Sequence, residues 1–170
     1  MFHYVWLFPF DVHVPVFIKQ LEQRLRDNYT SSWSVQLKDS NSLYLYKEYK
    51  VKFELERYFT EIANVNHRTA LSKLRLSSHC LCIETGRHGS ARLPRDERYC
   101  LFCNLLEVED EYHFILICPF YSSLRLKYIS KYYYQHPSVY KFISLMSTRK
   151  LKCIKQLARY IYEGFQLRNM

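Results

Sequence analysis

Between Val16 and Asp27 the apolar residues Phe17, Leu21 and Leu25 recur one helical turn apart, with Lys19, Gln23 and Arg26 off that line. This spacing predicts a helix with one apolar face. Ser31-Ser32-Trp33 then reads as the cap and anchor of a second, short helix ending near Lys38, and Asp39-Ser40-Asn41-Ser42 as a loop. Ahead of both, Met1–Pro15 reads as an irregular apolar lead-in broken by Pro9, Asp11, His13 and Pro15. Leu43 to Glu61 is rich in tyrosine with charges throughout, and its pattern does not separate helix from strand.

The second half is more regular. His67 to Ser77 carries Ala70, Leu71 and Leu74 as an apolar stripe, with Arg68, Lys73 and Arg75 largely outside it. Glu84 to Ser90 holds two of the three glycines and reads as a loop. Helices are expected over Tyr121–Tyr134, Pro137–Met146 and about Thr148–Leu167. In the last, Leu151, Ile154, Leu157, Ala158, Ile161, Tyr162 and Phe165 hold helical spacing, while Lys152, Lys155 and Arg159 line another face.

Composition narrows the class. A chain of 170 residues can bury a real core, and 48% hydrophobic with 17% aromatic residues excludes a disordered tail. With Gly at 3 and Pro at 5, tight turns are too few for a sandwich or barrel. A mainly α fold follows. No secretory leader is legible, and no apolar run free of charges reaches the length of a membrane span. The expected setting is intracellular, nuclear or cytoplasmic, with no membrane partner.

Charge is unevenly placed. Residues 1–66 hold 8 basic and 8 acidic groups, 67–99 hold 7 and 3, and 119–170 hold 10 and 1. Residues 100–118 reverse the trend with 4 acidic groups and no basic one. A net charge of +9 concentrated in this way predicts an acidic partner, RNA or DNA being the commonest.

Within the acidic stretch lie Cys100, Cys103, His113 and Cys118, a C-x2-C-x9-H-x4-C array. Three thiolates and an imidazole are the donors Zn²⁺ prefers, and four of them close a structural site with no position for substrate. The first pair needs one tight turn. The second suits a short helix that presents His113 from its face and Cys118 from just past its end, where Pro119 prevents simple continuation. Inert buried thiols and a Cys100–Cys103 redox pair are the competing readings, and three disulfides in a secreted chain is a third. The expected fold is therefore a small helical domain with an embedded CCHC zinc knuckle. Its parts are an N-terminal helical region of unclear role over 1–66, the zinc module over 67–125, and basic C-terminal helices over 126–170 packed on it.

Leu71-Ser72-Lys73-Leu74-Arg75-Leu76-Ser77-Ser78-His79, Glu84-Thr85-Gly86-Arg87, Arg95-Asp96-Glu97-Arg98-Tyr99-Cys100-x-x-Cys103 and Glu109-Asp110-Glu111-x-His113-Phe114-x-x-x-Cys118-Pro119-x-Tyr121 with Arg125 form one further pattern. It resembles the zinc-binding region C-terminal to the polymerase in non-LTR retrotransposon reverse transcriptases. The resemblance implies that Cys100, Cys103, His113 and Cys118 bind zinc. It also implies that neighbouring basic helices hold template RNA or target DNA, beside other proteins of the element. The family's polymerase, with its Tyr-x-Asp-Asp motif, is missing here, as is an endonuclease domain, and Asp110-Glu111 is not that motif.

No catalysis is expected of this chain. Glu107, Glu109, Asp110 and Glu111 read as charge at the start of the helix that carries His113 rather than as a Mg²⁺ nuclease cluster. Phosphate contacts are expected from Arg95, Arg98, Lys127, Lys131, Lys152, Lys155 and Arg159, against the alternative of solvated charges. The function expected is a non-catalytic, zinc-dependent nucleic-acid-binding module. The alternatives are a zinc-stabilised protein–protein adapter and a non-functional element remnant.

Overall fold

The computed structural model describes residues 14–40, 43–50, 52–88 and 92–168. The chain divides into two compact units, Met1–Ser40 and Asn41–Met170.

In the first unit, α1 (Val14–Asp39) is one unbroken helix of 26 residues. The break expected at Ser31-Ser32 does not occur. Ser and Thr cost a helix interior only a few tenths of a kcal/mol, roughly, so without Gly or Pro after Pro15 the ladder continues through them. Ser32 Oγ instead accepts from Gln36 Nε2 at 3.1 Å, one turn along. Pro15 falls in the first turn, where its missing N–H costs nothing. The lead-in expected over Met1–Pro15 otherwise lies outside the described residues, as do Asn41 and Ser42 of the expected loop.

The second unit is mainly helical, and its described residues contain no strand. The ambiguous tyrosine-rich stretch contains two short helices, α2 (Tyr44–Tyr49) and α3 (Tyr58–Glu61). Helix α4 (Val65–Arg75) starts where Asn64 Oδ1 accepts the His67 N–H at 3.2 Å. Helix α5 (Cys82–Thr85) makes a single turn whose last two residues take the start of the loop expected over Glu84–Ser90, and residues 86–88 are non-helical. Instead of one helix over Tyr121–Tyr134 there are α6 (Ser122–Tyr128) and α7 (Lys131–Tyr134), separated where extended Ile129 turns into the core. Then come α8 (Val139–Met146), capped by Ser138, and α9 (Leu151–Arg168).

Helix α9 is the spine, packing against α4, α6 and α3. Its buried stripe includes the expected Ile154, Leu157, Ala158, Ile161 and Phe165, plus Tyr160, whose hydroxyl donates to the Phe114 carbonyl at 2.6 Å. Leu151 is exposed. Gly164 lets α9 approach closely: a Cβ there would sit 2.7 Å from the Phe114 ring. Around that ring stand Tyr121, Tyr160 and Phe165, at centroid distances of 4.7, 5.4 and 5.5 Å.

Ala70, Leu71 and Leu74 are buried as expected, but Arg75 is buried with them at 4% exposure. Its guanidinium lies between the rings of Tyr49 and Tyr58, at 5.2 and 4.9 Å, and meets Glu56 at 3.1 Å. A long aliphatic stem and a flat cation that stacks on rings make this burial affordable. No helix among the described residues is long and apolar enough to cross a membrane.

Candidate metal centre and basic surface

Cys100 and Cys103 sit on a loop pinched at its base. Tyr99 and Val108 form an isolated antiparallel bridge, the Cys100 N–H donates to the Glu107 carbonyl at 2.9 Å, and the Glu109 N–H donates to Arg98 at 2.9 Å. Leu106 makes the return turn with φ of 54°, a left-handed conformation that costs a non-glycine residue about 1 kcal/mol.

His113 and Cys118 come from the next segment. A π turn spans His113–Ile117, and the Cys118 N–H closes it on the His113 carbonyl at 2.8 Å. The expected short helix is present, in a wider form. An i→i+5 bond stacks residues five apart on one side, whereas α geometry would turn Cys118 well away from His113. Cys118 then leaves the helical path, and a 3₁₀ turn over Pro119–Tyr121 follows it. The buried guanidinium of Arg125 secures this end, donating to the Ile115 and Cys118 carbonyls at 2.9 and 2.6 Å.

The structure brings all four side chains together. One donor atom from each of Cys100, Cys103, His113 and Cys118 lies within 4.8 Å of the others, and only Cys103 is not fully buried. Cys100 and Cys118 sulfurs are 3.8 Å apart, and Cys103 Sγ is 3.4 Å from His113 Nε2. A tetrahedral site with arms of about 2.3 Å to sulfur and 2.1 Å to nitrogen has edges near ~3.8 and ~3.6 Å. The cluster could hold a metal ion of that kind. Burial pushes the Cys100 and Cys118 thiols upward in pKa, so a bound cation would have to displace their protons.

The acidic run supports this cluster residue by residue. Asp110 Oδ1 accepts the His113 N–H at 2.8 Å, capping the segment as expected. Glu107 Oε2 lies 3.0 Å from His113 Nδ1, the ring nitrogen facing away from Cys103. Glu111 lies 3.0 Å from the buried His79 Nε2. Glu109, fully buried, accepts the Cys82 N–H at 2.8 Å and pairs with Arg168. Arg168 also donates to the Cys80 carbonyl at 3.0 Å and lies 4.7 Å from the Phe102 ring centre. These carboxylates are engaged with separate partners and do not form a cluster of their own. Cys80 and Cys82 are free thiols whose pKa burial pushes up, which leaves them poor nucleophiles.

The basic residues fare differently. Arg98 turns inward: its guanidinium donates to the Leu93 carbonyl at 3.1 and 2.8 Å and to Ile83 at 2.8 Å, with its stem against Gly86. It holds the loop rather than lying open to a ligand. Arg95 is exposed, its guanidinium 5.9 Å from the Tyr44 ring centre. Lys127 is exposed but lies 3.5 Å from Glu163 and over the Tyr128 ring. Lys131 is exposed on α7, and Lys152, Lys155 and Arg159 are exposed along one face of α9, without an ion pair to any described residue. Tyr133 and Tyr134 pack on the core, while Tyr132 is exposed with Lys141 over its ring at 4.8 Å.

Sequence reading did not find Arg125, Glu109 and Arg168 as a supporting frame, although the all-acidic stretch that surrounds the ligands was a signal of it. No family model, curated protein or solved structure matches this chain.

Proposed function

We propose that the chain is a non-catalytic zinc-binding module that engages RNA or DNA, of the kind its sequence resembles in non-LTR retrotransposon reverse transcriptases. One observation carries the reading: three thiols and an imidazole bring donor atoms within 4.8 Å of one another, while Lys131, Lys152, Lys155 and Arg159 stay exposed on α7 and α9. Cys and His donors without carboxylate select zinc among the common divalent ions. All four positions are protein ligands, so the ion would serve structure rather than chemistry.

Charge placement supports the partner. The four carboxylates of residues 100–118 stay with the metal loop, in contact with His113, His79, Arg168 or a backbone N–H, while the exposed cations stand on other segments, α7 and α9. Lys152, Lys155 and Arg159 stand at helical spacing on an exposed face of α9, a geometry suited to following a phosphate backbone.

Elemental analysis of the purified chain should find one zinc per molecule, lost with the Cys100→Ser substitution. Oligonucleotide binding should fall with salt at a log–log slope near −3 to −4, as roughly four phosphate contacts require. Reversing Lys152, Lys155 and Arg159 to Glu should flatten that slope with zinc content unchanged. Binding indifferent to salt, or to the triple reversal, refutes the nucleic-acid reading, and a metal-free chain of full thermal stability refutes the zinc reading. The adapter reading finds support in α1, where Ile18, Leu21 and Leu25 are exposed. A partner held there should bind with little response to salt.

A further inference from the structure

Apart from the metal centre, a cleft of about 360 Å³ opens between Lys50, residues 52–57, the end of α4 and the turn joining α8 to α9. Five cationic side chains line it against two carboxylates. Two of the cations are buried, Lys50 at 8% and Arg75 at 4% exposure, and both lean on one carboxylate. Lys50 Nζ is 2.7 Å from Glu56 Oε1, and Arg75 Nη1 is 3.1 Å from Glu56 Oε2. One negative charge thus serves two buried positive ones. Glu54 does not make up the difference, since its carboxylate meets Arg149 at the rim at 3.3 Å and only its backbone carbonyl takes a bond from Lys50. The buried Arg75 Nε has no hydrogen-bond partner among the described residues. Lys52 and Arg57 also line the cleft, exposed and in no ion pair with a described residue.

A buried cation without its counter-charge is costly, and proteins seldom keep one unless something neutralises it. We propose that this cleft binds a phosphate monoester group, whose charge of about −1.5 to −2 would complete the set. Its several acceptor oxygens suit lysines and arginines arriving from separate segments better than a single carboxylate would. The volume exceeds that of a bare ion and matches a small phosphorylated molecule or the phosphorylated end of a strand. The site shares no residue with the metal cluster and stands whether or not zinc is bound.

The test is calorimetric titration of the full chain with adenosine 5′-monophosphate and with adenosine at equal ionic strength. The phosphorylated probe should bind at least about tenfold tighter, the difference carried by charge-assisted contacts. Arg57→Glu with Arg149→Glu changes two exposed rim residues, leaves the buried pairs in place, and should abolish that difference without altering zinc content or helicity. Equal binding of the two probes, no binding of either, or an unaffected double variant overturns the proposal. Oligonucleotides with 5′-phosphate and 5′-hydroxyl ends identify the source. A preference for the phosphorylated strand, competed by the mononucleotide, assigns the site to strand ends, and mononucleotide binding without that preference assigns it to a free metabolite. Loss of oligonucleotide binding on reversal of Lys152, Lys155 and Arg159 leaves the mononucleotide result untouched, so the two readings fail separately.

Discussion

Glu107→Ala tests the metal reading without attacking a ligand. The carboxylate stands 3.0 Å from His113 Nδ1 and is half exposed, whereas the His113 ring is almost wholly buried. The backbone of His113 is fixed independently, by Asp110 on its N–H and by the Cys118 N–H on its carbonyl. Glu107 therefore governs which nitrogen carries the proton and how Nε2 is aimed, and little else. Loss of such an outer partner typically weakens metal affinity 10- to 100-fold, about 1.4 to 2.7 kcal/mol. A pair whose carboxylate is half exposed to water is worth only about 0–1 kcal/mol to the metal-free fold, or at most a few degrees in melting temperature. The expected result is thus a split: zinc affinity down by one to two decades, apo stability nearly unchanged. Competition against a chromophoric chelator reads the first and thermal unfolding in chelator reads the second. Glu107→Gln keeps an acceptor and should lose less than the alanine variant. Affinity within about threefold of the parent for Glu107→Ala would show that His113 is not a ligand oriented in this way.

Arg125→Met removes two charge-assisted bonds and strands the Ile115 and Cys118 carbonyls in the core, and should cost about 2–5 kcal/mol, seen as a fall of roughly 10 °C in melting temperature. Gly164→Ala gains up to about 1 kcal/mol of helix propensity but drives a methyl into Phe114, for an expected net loss of about 1–2 kcal/mol in denaturant unfolding. Leu106→Gly relieves a left-handed backbone at a side chain that is mostly solvent-exposed, and should raise stability by about 0.5–1 kcal/mol in the same assay. Chelation or Cys100→Ser should remove on the order of 10 kcal/mol of apparent folding free energy from the 100–118 segment, read as lost amide-exchange protection there.

Much of the site was legible because its chemistry is local. Cys100 with Cys103, and His113 with Cys118, lie a few positions apart, and no other residue type competes for the same ion so well. The stripes of α4 and α9 were equally plain, since burial of one helix face imposes a period on the chain. Less could be said of Leu43–Glu61, where short helices of 6 and 4 residues cannot establish a period. The unbroken α1 was missed because capping residues signal a helix end only when something else stops the ladder.

What sequence alone determined, then, is the donor set, the helical class and the surplus of positive charge, all properties of residues and their neighbours. Tertiary structure decided which charges stay outside. Arg75, Arg98, Arg125 and Arg168 look in sequence like surface cations, yet each spends its guanidinium on carbonyls or carboxylates within its own chain. Lys131, Lys152, Lys155 and Arg159 remain exposed. Glu109 and Arg168, 59 positions apart, meet only because α9 runs back past the knuckle, and the π turn forms only where Cys118 must face His113. Long-range pairing depends on where the folded chain returns, and no local pattern of residues encodes that return.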